Sequence, residues 1–217
     1  MIERTIATGT HGRFLIELPA SPGPAPILVG FHGYGEGAVE QLDRMRRIPG
    51  AERWLMVSIQ GLHRFYNRRA NEVVSSWMTR QDRELAIADN LAYVAAVIDT
   101  VHREYPGAPR VVFSGFSQGV AMTFRAAAAS SRLVDGVIAV GGDVPPELDA
   151  VATGRVRDAL ICHGTRDEFY TGEKFERDVQ RLRAAHVSVV PLEFAGGHEW
   201  SKDVVQAASR FLDERLP

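Results

Sequence analysis

A single cysteine, Cys162, occurs among the 217 residues, so no disulfide can close within the chain. An excess of charge of one sign is also missing. Lys and Arg number 25 against 27 Asp and Glu, the formal net charge is −2, and the isoelectric point lies near 6.4. That balance gives no reason to expect nucleic acid or an anionic membrane as partner. Arg64, Arg68, Arg69, Arg80 and Arg83 do cluster, but acidic residues follow closely, and a solvated loop is a better reading than an anion site. The opening MIERTIATGTHGRFLIELPA scatters its charges and holds no uninterrupted apolar stretch of signal-peptide length. No later segment approaches the length of a membrane span. A soluble cytoplasmic protein with no stable membrane insertion is the expectation. Internal repeats are absent, and the only low-complexity tract is the short AAAA at 126–129.

What the chain does have is enough apolar material for a real core: 45% hydrophobic residues against 24% charged. No linker interrupts the pattern, so one domain over 1–217 is expected. Residues 13–18 and 26–32 read as strands joined by the turn-rich SPGPAP. A helix is expected over 37–48, then a strand over 54–59. The polar segment 60–82 has no clear period. Residues 83–104 read as a helix with Leu85, Ala88, Leu91, Ala95, Ile98 and Val101 on one face, stopped by Pro106 and Gly107. Beyond it, strands at 110–114, 134–140, 158–162 and 187–194 alternate with helices at 118–129, about 171–184, and 201–213. Val204, Ala208, Phe211 and Leu212 line the inner face of the last helix. Short apolar strands alternating with amphipathic helices indicate a parallel sheet covered on both faces. Ligands on such sheets bind beyond the carboxyl ends of the strands, so the informative residues are those just after each strand.

After strand 110–114 comes Gly115-Phe116-Ser117-Gln118-Gly119, which fits G-x-S-x-G. A serine held on a sharp strand-to-helix turn projects its hydroxyl, and side chains two positions away on either side would collide with neighbouring backbone. The following helix points its N-terminus at the site, which favours developing negative charge. A glycine-rich turn with an N-capping serine is the competing reading. A nucleophilic serine needs a base, and the base needs an orienting acid, in the chain order Ser, Asp or Glu, His. Asp167 lies after strand 158–162, and His198 lies after strand 187–194, preceded by Gly196 and Gly197. Glu168 is expected to point elsewhere, while Asp143 is the rival acid. His163, at the end of its strand, reads as a hydrogen-bonded structural residue. His11, His63, His102 and His186 have no matching partners. An oxyanion hole takes one N–H from the residue after the nucleophile, here Gln118, and another from the loop after an early strand. In LVGFHGYGEG the backbone N–H of Tyr34 is the natural candidate.

HGYGEG after an early strand, GFSQG at the elbow, HGTRDEF at the acid and GGHEW at the histidine resemble the phospholipase/carboxylesterase family of α/β-hydrolases, which includes acyl-protein thioesterases. The resemblance spans nearly the whole chain. It implies a mostly parallel sheet with helices on both faces and minimal or no cap domain. It also implies Ser117 as nucleophile, Asp167 as acid, His198 as base, and Tyr34 and Gln118 as oxyanion donors. Tyr34, Trp77 and Phe116 are the side chains expected to meet substrate. The family usually has a leucine-type residue at position 34, so a bulkier or more polar wall is expected there. For Trp77 two readings stand, lining the pocket or packing under the loop. Dienelactone hydrolases, a neighbouring family, carry cysteine at the elbow. Here that place is taken by Ser117, and Cys162, inside a strand, reads as a buried inert thiol. The expected activity is hydrolysis of small-molecule carboxylic esters through an acyl-enzyme, with no metal or organic cofactor required. Thioester or lysophospholipid hydrolysis is the alternative, and a non-catalytic ligand-binding protein on the same scaffold is the reading of another class.

Overall fold

The computed structural model describes residues 1–69 and 71–214. Ala70, within the segment 60–82, and residues 215–217 of the expected domain span lie outside the described residues. Seven strands form the main sheet in the order β1-β3-β2-β6-β7-β8-β9. They are β1 (Arg13–Glu17), β2 (Ile27–Phe31), β3 (Leu55–Gln60), β6 (Val111–Phe116), β7 (Val134–Val140), β8 (Val156–Gly164) and β9 (Ser188–Phe194). Only β1 runs antiparallel to its neighbour, pairing Phe14 with Ile59; every other pairing is parallel. Pro191, which cannot donate to a ladder, stands on the edge strand β9, where that loss is tolerated.

Strand alternation divides the core in two. Val29, Phe31, Val57, Phe113, Val137 and Ile161 point to one side of the sheet, whereas Leu28, Met56, Val112, Ile138 and Leu160 point to the other. Against the first face lie the helices α2 (Arg83–Glu104), α3 (Gln118–Ala129) and α5 (Gly172–Ala184). Against the second lie α1 (Ala38–Arg46) and α6 (Lys202–Glu214). The short α4 (Ala150–Thr153) completes the helices, its first turn capped by the Asp149 carboxylate accepting from the Ala152 N–H at 2.8 Å. Each parallel strand therefore ends at one rim of the sheet, and the loops after β2, β6, β7, β8 and β9 all meet there.

Three expectations are corrected. The segment 60–82 holds an antiparallel hairpin, β4 (His63–Asn67) with β5 (Glu72–Ser76), in which Phe65 faces Val74. Its polar composition hid it, because β4 is exposed throughout and carries no apolar alternation. The helix at 83–104 has the expected ends but a buried face rotated from the expected one, comprising Ala86, Ile87, Asn90, Val94, Val97 and Val101; of the expected stripe, Val101 is buried and Leu91 and Ile98 pack against the core. Leu85 is half exposed, and Ala88 and Ala95 are exposed. Apolar residues lie all round this helix, so their spacing does not choose a face. By length and composition α2 is also long and apolar enough to cross a membrane, contrary to expectation; here its Val94, Val97 and Val101 belong to the core.

Asn90 decides the face. Its Nδ2 donates to the carbonyls of Trp77 (3.0 Å) and Ala86 (2.9 Å), and its Oδ1 accepts from the Leu62 N–H (3.1 Å), with no exposure to solvent. An amide satisfied on three sides must face inward, because rotating it out strands Leu62 N–H and Trp77 C=O. Replacing Asn90 with Ala is expected to lower unfolding free energy by about 2 kcal/mol or more. Leu85→Ala, on the face chosen by spacing, is expected to change it by less than about 1 kcal/mol. Urea titration of the two variants checks both.

Candidate active site

The loop after β6 is a single residue. Ser117 bridges β6 and α3 with φ +53° and ψ −121°, a conformation that β-carbon-bearing residues rarely adopt. Its N–H donates to Val140 O (2.9 Å) and its carbonyl accepts from Val120 N–H (3.0 Å), so the turn is held at both ends. Ser117 occupies the N-cap position yet makes no side-chain cap bond, which removes the capping reading. The flanking glycines have a steric purpose. A β-carbon on Gly115 would lie 2.4 Å from Thr123 Oγ1, and one on Gly119 would lie 2.2 Å from Phe31 O and 2.5 Å from His32 O.

The freed hydroxyl meets His198. Ser117 Oγ lies 2.8 Å from His198 Nε2, and His198 Nδ1 lies 2.7 Å from Asp167 Oδ2. A carboxylate only accepts, so the ring proton sits on Nδ1 and the Nε2 lone pair faces the serine O–H. Asp167 is orientated from behind, since its Oδ1 accepts from the N–H groups of Phe169 (2.8 Å) and Tyr170 (3.0 Å). Burial alone would raise the Asp167 pKa, but the Tyr170 N–H, the His198 bond and the Phe169 N–H outweigh it and hold the carboxyl below its ordinary range. The loops carrying acid and base are stitched together: Thr165 N–H donates to Phe194 O (2.9 Å) and Arg166 N–H to Gly196 O (2.8 Å).

Two glycines with no assigned part in the sequence reading make room for this line. A β-carbon on Gly141, at φ +65°, would lie 3.2 Å from the His198 ring, and one on Gly142 would lie 2.3 Å from Ser117 O. The GG pair directly after a buried strand was the available signal. Phe116 and Phe169 flank the imidazole, with ring centroids 5.0 and 5.1 Å away. The rival residues are occupied elsewhere. Asp143 pairs with Lys174 and Arg177, and Glu168 is exposed. His163 is buried and stacks on Phe175 at 5.3 Å; its Nδ1 lies 3.4 Å from Glu193 Oε2 but has no hydrogen-bond partner among the described residues, which departs from the expectation of a hydrogen-bonded residue. Cys162 is fully buried and its thiol pKa is pushed up by that burial.

The loop after β2 faces the same rim. Gly33 N–H donates to Glu36 Oε2 (2.8 Å) and Gly35 N–H to Ser75 O (3.0 Å). Between them the Tyr34 N–H has no hydrogen-bond partner among the described residues. The Gln118 N–H stands at the first position of α3, where a helix leaves its N–H groups without intrahelical acceptors. Glu36 is clamped by both terminal nitrogens of Arg44, whose guanidinium lies 4.1 Å from the Phe116 ring centroid. Burial opposes the Glu36 charge, but Arg44 and the Gly33 N–H outweigh it and lower its pKa. The Tyr34 ring, 62% exposed, rests on Phe65 at 5.6 Å, and Phe169 is 71% exposed, so two aromatic rings stand open at the rim. Trp77 takes the second of its two readings. It is 2% exposed, stacks on His32, and donates from Nε1 to His32 O, so it packs under the loop instead of facing substrate. Among the described residues no group of three or more His, Cys, Asp or Glu is placed to hold a metal ion.

The architecture, with its functional candidates gathered beyond the strand carboxyl ends, is that of an α/β-hydrolase. The profile of the phospholipase/carboxylesterase family matches residues 12–216, and the chain belongs to that family of carboxylic ester hydrolases. Among solved structures it is similar to esterase PE8, at 19% identity, covering 95% of this chain and 100% of that one with a TM-score of 0.76. It is similar to the Bacillus cereus carboxylesterase at 17% identity, covering 94% and 95% with a TM-score of 0.77. It is likewise similar to Zea mays acyl-protein thioesterase 2 at 17% identity, covering 95% and 100% with a TM-score of 0.76. At these identities the likeness establishes the fold. A comparison with curated protein sequences gave no match.

Gly119→Ala is expected to cost about 3 kcal/mol or more, because both atoms it strikes are backbone; denaturant midpoints measure it. Asp167 has a depressed folded-state pKa, so its charge stabilises the fold above its unfolded value and that contribution is lost as pH falls through the folded one. Asp167→Asn is therefore expected to be less stable than wild type near pH 7, with the gap narrowing below about pH 4. Thermal melts across that range check the sign.

Proposed function

We propose that this chain is a serine carboxylesterase in which Ser117, His198 and Asp167 act as nucleophile, general base and orienting acid. The observation that carries the proposal is the unbroken line of hydrogen bonds from Asp167 through His198 to a serine held on a strained turn. Ser117 Oγ attacks the acyl carbon of the ester while its proton passes to His198 Nε2. The carbonyl oxygen becomes an oxyanion facing the N–H groups of Tyr34 and Gln118, with the N-terminus of α3 adding positive potential. Collapse expels the alcohol, which takes the proton from His198 and leaves an acyl group on Ser117. Water, deprotonated by His198, then attacks the acyl-enzyme, and the carboxylic acid leaves as Ser117 regains its proton.

The rim favours a small ester with an apolar acyl or alcohol part. Tyr34, in the loop after β2, and Phe169, its ring 5.1 Å from that of His198, offer exposed aromatic surface at the rim, and Phe116 packs against the imidazole. Thioester and lysolipid cleavage use the same steps, and rates measured side by side on the three substrate types order them.

Ser117→Ala is expected to fold normally by circular dichroism and to lose about 10⁵-fold or more in kcat on p-nitrophenyl acetate. Asp167→Asn is expected to lose about 10⁴-fold, because the imidazole then takes the wrong tautomer. Labelling of wild type, but not of Ser117→Ala, by a fluorophosphonate probe is the companion result. A folded wild-type protein that takes up no probe would instead favour a ligand-binding role on the same scaffold.

A further inference from the structure

His32 directly follows β2, is fully buried, and touches neither Ser117 nor His198 through any hydrogen bond. A buried histidine of this kind is usually core filling, yet every polar atom of its ring is committed. Nε2 receives the Gly61 N–H at 3.0 Å, with Ser75 Oγ at 2.9 Å from the same nitrogen. A backbone N–H only donates, so Nε2 is the acceptor and the ring proton sits on Nδ1. Nδ1–H therefore donates to the carbonyl of Gly33, 2.6 Å away. That carbonyl shares its peptide unit with the Tyr34 N–H. The described backbone has no cis peptide bonds, and in a trans unit the C=O and N–H point in opposite directions. Fixing the Gly33 oxygen thus fixes the direction of the Tyr34 N–H.

We propose that His32 is a positioning residue for the hydrolysis: its Nδ1–H, by holding the Gly33 carbonyl, keeps the Gly33–Tyr34 peptide turned so that the Tyr34 N–H faces the oxyanion. The inference rests on the esterase reading above. Glycine at 33 makes the device necessary, because a peptide next to glycine rotates with little steric resistance. A bond to the carbonyl also polarises the amide and strengthens its N–H as a donor. The imidazole is itself locked. Trp77 stacks on it at 5.0 Å and 28°, and Trp77 Nε1 donates to His32 O at 2.9 Å. Burial lowers the His32 pKa, outweighing the opposing pull of the Gly33 bond, so the ring is neutral near pH 7.

The hairpin end 75–78 serves both oxyanion donors. Ser75 and Trp77 hold His32, while the Gln118 side chain accepts from Trp77 N–H (2.9 Å) and donates to Met78 O (3.1 Å). The segment whose role the sequence left open is thereby a strap behind the site.

Two variants separate positioning from filling. In His32→Asn the amide nitrogen reaches the place of Nδ1 and can donate to Gly33 O. In His32→Gln the amide reaches the place of Nε2 and can bond Gly61, leaving the Gly33 carbonyl unheld. His32→Gln is expected to lose roughly 100-fold in kcat, the scale of one oxyanion donor, with KM changed less than about threefold. Its inhibition constant for an aryl trifluoromethyl ketone, whose adduct with Ser117 carries the oxyanion, is expected to rise in proportion. His32→Asn is expected to retain kcat within about tenfold at equal or lower Tm. Equal losses in both variants, tracking Tm, or an unchanged kcat in folded His32→Gln, would overturn the proposal. Should the variants not fold, nitrogen-15 spectra of histidine-labelled wild type decide, since an Nε2–H tautomer at His32 is incompatible with it. Failure of the esterase reading is separate, being seen as absent fluorophosphonate labelling of wild-type Ser117.

Discussion

The backbone turn at Ser117 is the constraint on which the site depends. Its left-handed φ costs of the order of 1–3 kcal/mol, and the fold supplies the compensation around it. Val140 O and Val120 N–H hold its two ends, and the absence of β-carbons at Gly115 and Gly119 lets α3 start against the end of β2. That closeness has two consequences. It leaves the serine hydroxyl nowhere to cap its own helix, so it faces His198. It also brings the Gln118 N–H to the same rim as the loop after β2. A looser turn would weaken both at once.

The rest of the site is built by holding each polar group from behind. Asp167 is fixed by two backbone N–H groups, His198 by Asp167 and two aromatic rings, Glu36 by Arg44, and the Gly33 carbonyl by His32. These groups come from the loops after β2, β8 and β9, and local holds such as those on Asp167 and Gly33 are combined with contacts between segments far apart in the chain, as His198 makes with Asp167 and His32 with Ser75. The hairpin end 75–78 adds a tie across the loops after β2 and β6, through His32 on one side and Gln118 on the other. Catalysis by preorganised donors demands such rigidity, since donors that must turn toward the charge lose part of their effect in doing so.

Much of this was legible in the chain because it is local. Apolar runs of strand length, glycines two residues either side of a serine, and an acid and a histidine each following a later strand are patterns of spacing, and spacing survives in sequence. Helices at 83–104 and 118–129 and the strand at 134–140 have the expected bounds. Where spacing was degenerate the reading failed. Leu85, Ala88 and Ala95 fall in step with a helical stripe, but the stripe through Asn90 is buried, because a three-bonded amide outweighs the transfer of alanine and leucine methyls. The hairpin at 63–76 went unseen because its first strand is exposed on both faces. Trp77 carried no sign of whether its indole faced the cleft or the core.

By itself, then, the sequence determined the alternation of strands and helices, the sharp turn at Ser117, and the chain order of Ser117, Asp167 and His198, since each follows from periodicity or steric need within a few residues. Tertiary structure alone decided which acid meets His198, which way the Gly33–Tyr34 peptide faces, and that Trp77 lies beneath the site. Those outcomes depend on contacts between residues far apart in the chain, such as His198 with Ser117 and His32 with Ser75. A hydrogen bond is satisfied by whichever partner the packed sheet brings within about 3 Å, and nothing in the spacing of residues along one loop specifies what a distant loop will present to it.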